Sequence, residues 1–99
     1  MNSISEIIKS NIPTLVDFSA EWCAPCKMMK PVLKSLKTKM GDKLNVEIID
    51  IDKDKPTHEA YGVRDLPTLI LFKNGEIKWQ HSGGLDLKTM MQVVEQYGG

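Results

Sequence analysis

Thr14-Leu15-Val16-Asp17-Phe18-Ser19-Ala20-Glu21-Trp22-Cys23-Ala24-Pro25-Cys26 opens on a near-continuous apolar run of strand length, Thr14 to Phe18, and ends in the chain's two cysteines, three residues apart. A run apolar at successive positions suits a strand covered on both faces, and Asp17 is the exception inside it. Two thiols at that spacing can close on each other. If the segment opens a helix, residues three apart lie on one face with Cβ atoms roughly 5–6 Å apart, a separation that modest adjustment brings within disulfide reach. The chemistry that follows is dithiol–disulfide exchange.

Downstream, Met28, Met29, Val32, Leu33 and Leu36 supply the apolar face of a helix from Ala24 to about Met40, with Gly41 as its stop and Pro31 expected to kink it. Leu44–Ile51 reads as a second strand rich in β-branched residues. Strand, helix, strand at these lengths is a βαβ unit with parallel strands and a right-handed crossover. The cysteines then lie just past the first strand's carboxyl end, where open α/β sheets place their chemistry. Upstream, Ser3–Ser10 reads as a short amphipathic helix, capped by Ser3 or Ser5, with Ile4, Ile7 and Ile8 on one stripe and Asn11 and Pro13 ending it.

The second half continues with a charged loop at Asp52–Lys55, a short helix at Pro56–Tyr61 and a third strand at Thr68–Phe72. Asn74-Gly75 between strand-like runs is a strong hairpin signal, so Glu76–His81 is expected to pair antiparallel with Thr68–Phe72 and the sheet to be mixed. Gly83-Gly84 breaks that strand and Asp86 caps a last helix, in which Leu87, Met90, Met91, Val94 and Tyr97 recur at helical spacing. The class is α/β, a central mixed sheet of about four strands flanked by helices.

Length and charge narrow the function. A chain of 99 residues forms one domain, residues 1–99, burying roughly two thirds of its unfolded surface. Lys plus Arg and Asp plus Glu both total 13, so no net field favours nucleic acid or an anionic membrane. The N-terminus has no basic n-region and no apolar run is long enough for a membrane span. Cytoplasm is the default, with a periplasmic form made from a longer precursor as the alternative. Two cysteines are too few for a disulfide-stapled secreted scaffold, and in a cytosolic chain the pair is read as catalytic or metal-binding. His58 and His81 are the histidines a zinc site would need, but nothing in the sequence places them beside Cys23 and Cys26, and surface histidines are commoner. Lys34, Lys37 and Lys39 read as a solvated helix face.

With that layout the chain resembles the thioredoxin family from Ile7 to its end. Three signatures carry the resemblance: Val16-Asp17-Phe18 leading into Glu21-Trp22-Cys23-Ala24-Pro25-Cys26-Lys27, then Val63-Arg64-Asp65-Leu66-Pro67-Thr68-Leu69, then Asn74-Gly75-Glu76 followed by Gly83. It implies the thioredoxin fold, no bound cofactor and no metal. It also implies a monomer with disulfide-containing proteins as substrates and a thioredoxin reductase as partner.

The residues themselves suggest how the roles divide. A cysteine at a helix N-terminus has its thiolate stabilised by free N–H groups and the helix dipole, so Cys23 attacks, while Cys26, one turn inside, resolves the mixed disulfide. Pro25 suits the first helical turn and stiffens the segment between the sulfurs. Burial raises the pKa of Asp17, and the resemblance implies that it takes the proton from Cys26; the alternative is a structural Asp satisfied by backbone donors. Sequence alone favours a trans Leu66–Pro67 bond, whereas the resemblance implies cis, with Pro67 against the cysteines and the Leu66 backbone free to pair with an extended substrate. Trp22 is expected to wall the sulfurs, and Gly83 matches a glycine on the same rim; ordinary packing and a bare turn are their alternatives.

Four departures from the family pattern stand out. Ala24 replaces the commoner Gly, which bears on redox potential. Ile48 stands where a lysine is typical, leaving Asp17 harder to ionise. Ser19 occupies a position that is Trp in many bacterial members, and the family's N-terminal strand is expected to be missing, exposing a sheet edge. The reading is a reductant of protein disulfides. An oxidant or isomerase of the same fold and a non-catalytic binding module are its rivals.

Overall fold

The computed structural model describes residues 4–54 and 61–98. Ser3, the side chains of Ile4 and Ser5, residues 56–60 of the expected short helix with His58, and Gly99 lie outside the described residues. In chain order the elements are α1 (Ile4–Ile7), β1 (Thr14–Ser19), α2 (Ala24–Met40), a 3₁₀ turn (Gly41–Lys43), β2 (Asn45–Asp50), β3 (Thr68–Lys73), β4 (Glu76–Ser82) and α3 (Leu87–Tyr97). The sheet order is β2-β1-β3-β4, with β1 and β2 parallel and the other neighbours antiparallel. This is the mixed four-stranded sheet expected from the sequence.

Alternation along the strands divides the core between the two faces. Leu15, Leu69 and Leu71 pack with Met29, Leu33, Leu36, Met90, Val93 and Val94 beneath α2 and α3. Val16, Phe18, Ile70 and Phe72 face the other way, with Ile8 and Val63. Tyr61 fills that side, its ring 6.2 Å from Phe18 and 5.4 Å from Phe72. β1 is buried at every position, as a central strand between two layers must be.

Several elements differ from the sequence reading. α1 is shorter than expected: beyond Ile7 the backbone tightens into i→i−3 turns, Lys9 N–H donating to Glu6 O at 3.2 Å and Ser10 N–H to Ile7 O at 3.3 Å, while the Ile8 and Ser10 carbonyls accept from Gly75 and Asn74 N–H at 2.9 Å. β2 is half-exposed, since β1 covers one edge and no described strand covers the other. In α3 the buried stripe is Met90, Val93 and Val94, and Tyr97 is exposed. Lys37 is more than a solvated side chain: its ammonium donates to Gly41 O at 3.0 Å and Leu44 O at 2.6 Å, satisfying carbonyls beyond the helix end. α2 runs through Pro31 as one helix over Ala24–Met40. The hairpin turn is built on Asn74 and Gly75, both at positive φ, and a bulge shifts the register between Leu71 and Phe72.

Asp86 caps α3 by accepting from Thr89 N–H at 2.8 Å. At the other end Gly98 is buried, and a Cβ there would lie 2.6 Å from Val94 O and 3.0 Å from Pro13 Cγ. Gly98→Ala is therefore expected to lower stability by about 1–3 kcal/mol through overpacking. A thermal melt superimposable on that of the parent protein would contradict this account.

Candidate active site

β1 ends at Ser19, and α2 begins five residues later at Ala24, with Cys23 as its N-cap. The Cys23 backbone is extended, and its sulfur accepts the Cys26 N–H at 3.2 Å, a helix-capping bond made by sulfur instead of the usual oxygen. Cys23 and Cys26 are joined in a disulfide with Cα atoms 5.3 Å apart. Cys23 is 6% exposed and Cys26 fully buried, so Cys23 is the member of the pair at the surface. Pro25 is exposed in the first turn, where its missing N–H removes no helical bond.

Around the sulfurs, Ala20 forms a small apolar cluster with the two cysteines, and Ile51 and Leu66 pack against it. The Leu66–Pro67 bond is cis and Pro67 is buried. Gly83 N–H donates to Pro67 O at 2.7 Å, which ties the end of β4 to this segment. At φ 99° Gly83 adopts a conformation that L side chains avoid, although a Cβ there would meet nothing closer than His81 Nε2 at 3.8 Å. Its requirement for glycine is conformational.

Trp22 is 69% exposed, and its indole N–H donates to Asp52 Oδ2 at 2.9 Å. This bond tethers the exposed ring, a role for Asp52 that the sequence reading missed. The signal was available: parallel strands end on the same side, so residues just after β2 lie beside residues just after β1. His81 stacks on Trp79 in β4. Among the described residues no group of three metal-ligating side chains is assembled, and no helix is long and apolar enough to cross a membrane.

Asp17 lies two residues from Leu15 on β1 and so points to the same face, toward α2. It is fully buried, and neither carboxylate oxygen has a hydrogen-bond partner among the described residues. No backbone donor among the described residues satisfies it. Desolvation pushes its pKa up from 3.8 to about 7, against a smaller lowering by the Lys30 ammonium.

Two sulfurs that bond to each other at a helix N-terminus, packed against the segment that carries a cis-proline, make this a thiol-disulfide oxidoreductase. The comparisons with known proteins agree. The family model for thioredoxin matches residues 2–96. The thioredoxin of Rhodospirillum rubrum is 41% identical over 90 residues, covering 91% of this chain and 86% of that protein. That of Rickettsia typhi is 39% identical over 92 residues, covering 93% and 88%. A mutant thioredoxin from Halobacterium salinarum superposes with a TM-score of 0.86 at 34% identity, covering 97% of this chain and 83% of that one. The chain belongs to the thioredoxin family.

Proposed function

We propose that this protein reduces disulfides in other proteins, as a monomeric electron carrier in the cytoplasm that a thioredoxin reductase returns to the dithiol. The observation that carries this reading is the asymmetry of the pair, one sulfur capping α2 at the surface and the other buried one turn inside. In the reduced form the Cys23 thiolate, favoured by the helix N-terminus, attacks a substrate disulfide. A mixed disulfide forms, and the first substrate sulfur leaves as thiolate. Cys26 then gives its proton to the Asp17 carboxylate and attacks Cys23 Sγ. The second substrate sulfur leaves and takes up a proton, and the two electrons lost by the dithiol appear as the Cys23–Cys26 bond.

Trp22, Pro25, Leu66, Pro67 and Gly83 form the docking rim in this proposal. The Leu66 backbone supports it, since no hydrogen bond to another described residue engages its N–H or carbonyl. An extended substrate segment can add there by strand pairing.

The test is the two-electron midpoint potential, read by equilibrating the protein in graded dithiol/disulfide buffers and counting thiols by mass tagging. Thioredoxin sits at about −270 mV and protein disulfide isomerase at about −180 mV. A value close to the first is expected. One close to the second would replace the reductase by an oxidant or isomerase, with Ala24 as the first suspect.

A further inference from the structure

On the face of the sheet that carries Asp17, α2 and β2 leave an open groove of about 400 Å³ lined by Lys30, Leu33, Lys34, Lys37, Val46 and Ile48 among others. Ile48 is directly opposite Asp17 in the parallel β1–β2 register and is 46% exposed. Lys30 is four residues after Cys26, so the two stand one turn apart on one row of α2. Ile48 is thus both the neighbour of Asp17 across the sheet and a wall of the open groove that Lys30 also lines.

We propose that Lys30 is a positioning residue for the resolving step: from the mouth of this groove its ammonium stabilises the Asp17 carboxylate and sets the pH at which Cys26 can be deprotonated. This rests on the proposed role of Asp17 as proton acceptor. The neighbouring positions leave this task to Lys30. Across β1, Asp17 is opposite Ile48 on β2 and Leu69 on β3, neither of which carries charge. On α2, Lys30, Lys34 and Lys37 all line the groove, and Lys30 is the one of the three nearest to Cys26 along the helix. Further along the groove, Lys37 is held by the Gly41 and Leu44 carbonyls, and Lys34 is a turn beyond Lys30. Among the described residues, Lys30 is the charge that opposes the desolvation of Asp17.

The experiment follows Asp17 by its side-chain carboxyl ¹³C resonance and, separately, the rate of mixed-disulfide resolution as a function of pH. Lys30→Met is expected to raise the Asp17 titration by at least about half a pH unit, as loss of a screened but unopposed cation should. At that shift resolution slows about two-fold at pH 7 and about three-fold at pH 6, and converges on the parent rate above about pH 8.5. Lys30→Glu is expected to move both further, Lys30→Arg to leave both in place, and Ile48→Lys in the Lys30→Met background to restore both from the opposite wall.

An Asp17 resonance whose titration is the same in the parent, Lys30→Met and Lys30→Glu proteins would overturn the inference. A titration that moves while the pH profile of resolution stays fixed would support the action of Lys30 on Asp17 and overturn the proton-acceptor reading beneath it.

Discussion

Cys26→Ser is expected to stall at the mixed disulfide, so that a disulfide-bonded substrate accumulates on Cys23 in a one-to-one adduct and turnover falls by on the order of 10³-fold or more. Cys23→Ser should lose turnover to the same extent and form no adduct. The asymmetry follows from placement. Cys23 caps α2 with its sulfur on the Cys26 N–H at 3.2 Å, whereas Cys26 is fully buried beneath Ala20, Ile51 and Leu66. A substrate disulfide therefore meets the first sulfur and is shielded from the second. Intact-mass analysis of acid-quenched, alkylated mixtures checks this. An adduct on Cys26 in the Cys23→Ser protein, with none on Cys23 in the Cys26→Ser protein, would invert the order of attack. Full biological activity of the doubly substituted protein would sink the redox function and favour a binding module.

The parts of this fold that were legible in the sequence are those dictated by local chemistry. The bounds of α2 matched at both ends, because Pro25 and Cys23 mark its start and Gly41 its stop, with the Gly41 N–H donating to Lys37 O. Asn74-Gly75 predicted its hairpin, because that dipeptide suits the positive φ angles found there. What escaped the sequence depends on contacts between distant segments. α1 gives way after Ile7 to tight turns on which the β3–β4 turn docks through Ile8 and Ser10. An exposed sheet edge was expected, but the composition of β2, rich in β-branched residues, did not say that this strand would form it.

The site divides along the same line. The cysteine pair, Asp17 and Pro67 were picked out by motif. The indole–Asp52 bond was missed because those residues are 30 apart in sequence. Lys30 was missed because, read along α2, it is one lysine among several, and only the packing of that helix over β1 and β2 brings its charge to bear on Asp17. The sequence reading noted that position 48 carries no cation and did not weigh Lys30, which stands on another element.

The buried carboxyl should also make the protein's stability depend on pH in an unusual direction. Most acidic groups in folded proteins are better solvated or paired than in the unfolded chain, and their pKa falls. Asp17 instead rises from 3.8 to about 7 through burial. Between those values the unfolded chain has released the proton that the native state still holds. The stability linked to Asp17 is therefore fully present below about pH 4, declines as pH rises toward 7, and is level above it. At roughly 1.4 kcal/mol per pH unit the whole swing is on the order of 4 kcal/mol, a large share of what a domain of this size possesses.

Asp17→Asn abolishes that titration while keeping the shape and the polarity of the neutral acid. Urea unfolding of the oxidised proteins is thus expected to show the variant gaining on its parent by about 4 kcal/mol between pH 4 and pH 8. Parallel stability profiles would mean that Asp17 ionises as freely in the native state as in the unfolded chain. The same substitution should slow release of substrate from the mixed disulfide and leave its formation unchanged. The kinetic deficit should be largest near pH 8 and shrink as pH falls below 7, in step with the ionised fraction of the parent carboxyl. A variant that resolves the mixed disulfide at the parent rate at every pH would remove Asp17 from the chemistry. Stability gained where activity is lost would show why an unpartnered acid is retained inside the β-sheet: it is the base that lets a buried thiol react.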